Sequence, residues 1–269
     1  MQDYRKLFDL SGKTAVVIGA ASGIGKAAAE ALGSLGAYVV CADADIDGAK
    51  ATADEINIVS EAEAVRIDAA DGKQIEALAA DVVRTRRVVD IAVSTPALNI
   101  RKLIMDYTEE EYDRVMTLNL KGTFHFLRAF GRPMQQQGFG SIIACSSMRA
   151  VTIEPGLGIY AASKSGIAQM VRAFAAEVGT YNVRVNAIMP SIIETKLTAP
   201  IKERADIYNI YAAHTVFNRW GQPSEVGAAI AFLASDAASY ITGSSLSVDG
   251  GWTAIDGPPT GLTSTRPSA

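Results

Sequence analysis

Only two cysteines and two histidines occur in the 269 residues. Two thiols build no disulfide framework. Both cysteines, Cys41 and Cys145, sit in apolar, strand-like runs, and with two histidines they show no zinc-ligand spacing. No metal is expected, and the expected compartment is a reducing cytoplasm. An excess of one charge is missing as well, since 25 Lys and Arg face 29 Asp and Glu, giving a formal net charge of -4 and a pI near 5.3. No basic field is therefore present to draw nucleic acid or anionic lipid. No apolar run approaches the ~20 residues that cross a bilayer, and the N-terminal residues from Met1 to Lys6 lead into no apolar leader. Neither export nor membrane insertion is expected, and partners should be small molecules or copies of the chain itself.

What is present is a large core. Hydrophobic residues make up 49% and charged residues 20%, which suits one α/β domain over residues 1–256. A Gly/Pro/Ser/Thr tail over 257–269 is expected to be frayed or packed on a neighbouring copy. Short β-branched runs alternate with Ala-rich segments of helical period: a strand near 14–19, a helix near 23–35, a strand near 38–42, a helix near 47–56, a strand near 64–68, a helix near 73–85 and a strand near 89–94. One long helix over about 109–137 leads to a strand at 141–146. A helix near 160–179, a strand at 183–189, a helix near 224–234 and a strand around 245–248 follow. This is the pattern of a doubly wound parallel sheet of about seven strands with helices on both faces. The stretch 190–222 lacks a clean period and reads as a substrate loop or lid, with Tyr208, Tyr211 and His214 as possible lining.

Gly19-Ala20-Ala21-Ser22-Gly23-Ile24-Gly25 falls between the first strand and first helix, where glycines leave room for a pyrophosphate at a helix N-terminus. A plain strand-to-helix turn would have the same composition. Asp43 ends the second strand 18 positions beyond Gly25, where a carboxylate can accept from adenosine ribose hydroxyls and repel a 2′-phosphate. Lacking Arg or Lys at 20–22 or at 44, the chain should prefer NAD to NADP. The alternative role for Asp43 is a strand-end turn residue or helix cap.

Tyr160 and Lys164 stand four residues apart, on adjacent turns of one helix face. A free phenol ionises near pH 10, and a neighbouring cation would lower that value and fit Tyr160 for general acid–base work. Ser147 ends the strand thirteen residues upstream, at the edge where a cofactor should lie.

In order and spacing these motifs resemble the short-chain dehydrogenase/reductase family over nearly the whole chain. The matching positions are GAASGIG at 19–25, Asp68, Asn119-Leu120-Lys121-Gly122, Ser147, Tyr160 with Lys164, Asn186 to Pro190, Thr195 and Ser247 to Gly251. The resemblance implies a Rossmann-like single domain, a nicotinamide cofactor, a secondary alcohol or ketone as substrate, and a homotetramer. It implies that Asn119 supports a water-linked proton relay to Lys164. Lys164 would bind the nicotinamide ribose and lower the Tyr160 pKa, and Ser147 would stabilise the substrate oxygen. Gly19, Ser22, Gly23, Ile24, Gly25, Asp43, Asp68, Ala69, Ser94, Pro190, Ile193 and Thr195 would hold the cofactor beside Tyr160 and Lys164.

The chain departs from the family at Ser94-Thr95-Pro96-Ala97, where Asn-Asn-Ala-Gly is usual. Proline removes a donor and alanine disfavours geometry open to glycine, so cofactor contacts there are open; Ser94 is the candidate replacement. Substrate residues are harder to read. Arg149 could face the pocket and favour an anion, or pair with Glu154; His214 could line the lid, or lie on an exposed helix face. Two other functions share much of this pattern: an NADPH-dependent ketoreductase of biosynthesis, which Asp43 argues against, and a non-catalytic dinucleotide-binding sensor or scaffold.

Overall fold

The computed structural model describes Met1 and residues 3–255; the tail expected from 257 onward lies outside these residues. Seven strands form one parallel sheet: β1 (Thr14–Ile18), β2 (Tyr38–Asp43), β3 (Ala62–Arg66), β4 (Ile91–Ser94), β5 (Gly140–Cys145), β6 (Val183–Pro190) and β7 (Ser245–Val248). Their order across the sheet is β3-β2-β1-β4-β5-β6-β7. The order reverses between β1 and β4, and in such a sheet the crevice at the carboxyl ends of those strands is where ligands bind.

The two-residue period of the strands divides the core. Val16, Ile18, Val40, Ala42, Ile142 and Ala144 turn to one face, where Phe126, Phe130, Ile167 and Val171 cover them. Ala15, Val17, Val39, Cys41 and Ile143 turn to the other, against Ala28, Leu32, Ile56 and Ile230. The first face is packed by α3 (Gly72–Arg86), α5 (Gly122–Gln137) and α6 (Gly158–Val178), the second by α1 (Gly23–Ser34), α2 (Ile46–Ile56) and α9 (Pro223–Ala234). Side-chain caps start several helices: Asp45 accepts from the Gly48 N–H, Asp71 from the Lys73 N–H, and Thr108 with Glu111 forms a capping box on α4 (Glu109–Met116).

The long helix expected over 109–137 is interrupted. Between α4 and α5 the backbone widens into one π-helical turn, Thr117–Lys121, closed by the Gly122 N–H on the Thr117 carbonyl. Such turns change the side-chain register without breaking the helix direction; here the turn carries Asn119. The aperiodic stretch 190–222 is not bare loop either. It contains α7 (Ala199–Lys202) and α8 (Ala205–Ala213), held over Trp220, whose ring is fully buried, stacks on Tyr208 at 4.8 Å and donates to the Tyr208 carbonyl at 3.1 Å. Among the described residues no helix is long and apolar enough to cross a membrane.

Helices α1 and α9 approach through Gly227: a Cβ there would lie 2.5 Å from the Ala27 carbonyl oxygen. Overpacking of this kind costs about 1–3 kcal/mol. Gly227→Ala is expected to lower the unfolding free energy by that amount in urea titrations; an unchanged midpoint would show that the two helices have room to spare.

Candidate active site

The carboxyl ends of the strands enclose a cavity of about 720 Å³. Its first wall is the turn after β1. Gly19 takes φ +93°, and its N–H bonds the Ala42 carbonyl at 2.8 Å, which fastens the turn to β2. Gly25 has no room for a side chain, since a Cβ would sit 1.9 Å from the Gly19 carbonyl oxygen. Ser22 occupies the N-cap position of α1 without a side-chain cap, so the first amides of the helix keep their capacity for an anion. Asp43 accepts the Ala21 N–H at 3.0 Å and the Asp45 N–H at 3.0 Å, one on each carboxylate oxygen. Gly23, Ile24, Asp68, Ala69, Pro190, Ile193 and Thr195 also line the cavity, with Thr195 packed against Gly23.

The other end is built on β5 and α6. Ser147, only 7% exposed, lies just past β5 and its hydroxyl accepts the Arg149 N–H at 3.1 Å. Lys164 is fully buried; its ammonium donates to the Cys145 carbonyl at 2.7 Å, while the Ser146 hydroxyl donates to the Lys164 carbonyl at 2.8 Å. These reciprocal bonds pin α6 to the end of β5 and set Tyr160 and Ser147 in the same cavity. Lys164 Nζ is 5.6 Å from the centroid of the Tyr160 ring.

The expected lowering of the tyrosine is not what the protein alone produces. Burial pushes the Tyr160 phenol well above its ordinary value, and the Ser147 hydroxyl and Arg149 charge only partly offset it. Burial likewise pulls the Lys164 ammonium down. Its hydrogen bond goes to a backbone carbonyl, so helical spacing alone misplaces its partner.

Asn119 stands behind the wall, fully buried in the π turn. Its amide accepts the Leu98 N–H at 2.8 Å, donates to the Leu98 carbonyl at 2.9 Å and donates to Ser163 Oγ at 3.0 Å; Ser163 Oγ donates to the Tyr160 carbonyl at 2.6 Å. It reaches Ser163 rather than Lys164, and so ties the segment after β4 to the helix that carries Tyr160.

Two expected site residues lie elsewhere. Ser94 is a ladder residue between Ile18 and Ala144 and does not line the cavity. The next residue does: Thr95 Oγ1 donates to the Ile18 carbonyl at 3.1 Å and presses on Gly19 and Gly25, with Pro96 and Ala97 beside it. His214 is exposed and stacks on Trp252 at 4.7 Å, outside the cavity. Arg149 does line the cavity and also pairs with Glu154 at 2.6 Å. Sequence reasoning missed Arg101, which lines the cavity and pairs with the same glutamate. Its position in the irregular segment after β4 was the available signal. Among the described residues no group of three or more His, Cys, Asp or Glu could hold a metal ion.

Residues 19–253 match the family model described as Enoyl-(Acyl carrier protein) reductase. The chain is 38% identical over 253 residues to the NAD-dependent glycerol dehydrogenase of Listeria innocua, covering 93% of this chain and 97% of that one. It is 35% identical over 255 residues to galactitol 2-dehydrogenase (L-tagatose-forming) of Cereibacter sphaeroides, covering 93% and 99%. A solved gluconate 5-dehydrogenase from Burkholderia cenocepacia, in complex with NADP and tartrate, superposes with a TM-score of 0.88 at 27% identity, over 93% of this chain and 99% of that one. Fold, site and relatives agree: the chain belongs to the short-chain dehydrogenase/reductase family, nicotinamide-dependent oxidoreductases that interconvert alcohols and carbonyls.

Asn119→Ala removes the partner of both Leu98 backbone groups. Each buried group left unpaired costs about 1–3 kcal/mol, so a clear drop in melting temperature is expected by circular dichroism; an unchanged melt would mean that water replaces the amide.

Proposed function

We propose that the protein is an NAD-preferring dehydrogenase of secondary alcohols, working as a homotetramer in the cytoplasm, with residues 1–256 as its catalytic unit and 190–222 as its substrate loop. One observation carries the reading: Ser147, Tyr160 and Lys164 open onto the same cavity as the glycine turn and Asp43. The glycine turn fits a dinucleotide, since the space a Cβ would fill at Gly25 is taken by the turn's own backbone and the amides at the start of α1 are left to a pyrophosphate. Gly19, Ser22, Gly23, Ile24 and Gly25 would hold that group, Asp43, Asp68 and Ala69 the adenosine, and Pro190, Ile193 and Thr195 the nicotinamide side.

When bound, the nicotinamide supplies the acceptor or donor of hydride. Tyr160 Oη takes the hydroxyl proton in oxidation and returns it in reduction. Ser147 Oγ already accepts the Arg149 N–H, so its own proton is available to the substrate oxygen. Lys164 spends one of its three donors on the Cys145 carbonyl; the others would serve a ribose hydroxyl and the proton relay, and its charge would oppose the rise that burial imposes on Tyr160. Asn119 supports the relay as a positioning residue, through Ser163.

Each Asp43 oxygen keeps a lone pair after its backbone bond, enough to accept from ribose hydroxyls, and the charge opposes a 2′-phosphate. The cationic residues of the cavity, Arg101, Arg149, Lys164 and Lys196, include none from β2 or the glycine turn. NADP in the Burkholderia structure is the argument for the opposite preference. Pairing of copies rests on the family resemblance, and the compartment is supported by two free cysteines.

The test is nicotinamide absorbance with NAD or NADP and a panel of secondary alcohols. Turnover faster with NAD and abolished by Tyr160→Phe is expected, with Asp43→Ser raising the NADP-to-NAD ratio of kcat/KM by roughly tenfold or more, about 1.4 kcal/mol. Faster turnover with NADP would overturn the preference, and turnover surviving Tyr160→Phe would overturn the mechanism.

A further inference from the structure

Beside Ser147 the cavity wall carries more positive charge than the protein neutralises. Arg149 comes from the turn after β5, Arg101 from the segment after β4 and Tyr211 from α8, and all three line the cavity. One carboxylate serves them all. Glu154 Oε2 accepts from Arg149 Nη2 at 2.6 Å, while its Oε1 accepts from Arg101 Nη1 and from the Tyr211 hydroxyl at 2.7 Å. Arg101 Nη2 also donates to the Tyr211 oxygen at 3.0 Å. Hydrogen bonds from Tyr211 and Arg101, with the charges of both arginines, outweigh burial and hold Glu154 below the usual carboxylate range, so it is ionised.

Two guanidiniums against one carboxylate leave a net charge of +1 in a wall where Arg149 is only 8% exposed. A guanidinium has five N–H donors. Among the described residues, Arg149 spends one side-chain donor on a protein acceptor and Arg101 two. Among the described residues the remaining donors of the two guanidiniums have no protein acceptor, and the Trp252 ring lies 5.4 Å from Arg149 Cζ. Close by in sequence, Asn99 also lines the cavity, and its buried Oδ1 has no hydrogen-bond donor among the described residues. Cationic donors without acceptors, in a cavity whose lining also holds an amide oxygen without a donor, match a molecule that carries both an anionic group and a hydroxyl.

We propose that Arg101 and Arg149 form a carboxylate-recognition subsite beside Ser147, and that the substrate is a hydroxy acid rather than a neutral polyol. This rests on the dehydrogenase reading above and names the substrate class of that site. The residual charge of +1 is met by a single carboxylate, whereas a phosphate dianion would leave the wall negative. Glu154 holds both guanidiniums in place before a ligand arrives, so the fork needs little ordering on binding.

The test is calorimetric titration of the full chain, with NADH present, using matched pairs of probes: D-gluconate against D-glucitol, and D-galactonate against galactitol. In at least one pair the acid should bind roughly tenfold tighter than the alditol. Arg101→Gln, at a side chain 43% exposed, should reduce that preference to about threefold or less, with circular dichroism showing the fold retained. Acids that bind no better than the alditols, acids that do not bind, a preference that Arg101→Gln leaves intact, or tighter binding of D-glucitol 6-phosphate than of D-gluconate would each overturn the proposal. Oxidation of alditols with NAD while the acids are ignored would remove the subsite and keep the dehydrogenase. Acid-selective binding without turnover by either nucleotide would keep the subsite and remove the dehydrogenase reading.

Discussion

A single ammonium, buried where the sheet ends, organises one end of the cavity. Lys164 is fully removed from solvent, and its hydrogen bond to the Cys145 carbonyl is the contact that makes this burial tolerable. The return bond from Ser146 to the Lys164 carbonyl locks the same helical turn from the other side. Because α6 is fixed there, Tyr160, one turn earlier, has one place to be, and Ser147 follows directly from the strand that supplies the carbonyl. The chemistry and the packing of β5 on α6 are one constraint.

A second anchor acts from behind. The π turn delivers Asn119 to the Leu98 backbone and to Ser163, so the irregular segment after β4 is tied to the helix that carries the tyrosine. That segment then presents Thr95 beneath the glycine turn and Arg101 to Glu154. The replacement of the family's usual residues at 94–97 therefore leaves a built wall. Thr95 reaches a backbone carbonyl of β1, and Pro96 needs no N–H at that point.

The alternation of strands and helices was legible because both faces of the sheet are covered, so β-branched runs and helical periods stand apart along the chain. The glycine turn, Asp43, Ser147 and the Tyr160–Lys164 pair were legible for a different reason: each is local, fixed by a spacing within one turn or one strand end. The π turn was not legible, because widening one turn leaves the apolar period of the flanking helices unchanged. Ser94 ends β4 where expected, but it is taken up in the sheet ladder and the next side chain, Thr95, meets the cavity, an alternation that the motif comparison alone does not resolve. His214 stacks on Trp252, and Arg101 meets Arg149 through Glu154; such contacts join segments far apart in sequence, where periodicity carries no information. The bond from the Lys164 ammonium to the Cys145 carbonyl lies beyond such spacing too, since i,i+4 places two side chains on one face without saying where the ammonium bonds.

Phenolate formation at Tyr160 is proposed to need the Lys164 charge, working against the burial that raises the phenol and lowers the ammonium. The most direct measurement is the pH dependence of kcat/KM for alcohol oxidation in the native enzyme and in Lys164→Met, which removes a buried charge at similar volume. Oxidation needs the phenolate, so the rate should climb with pH, and without the ammonium the climb should move upward by roughly a unit or more. An ascending limb that stays in place in Lys164→Met would contradict the claim.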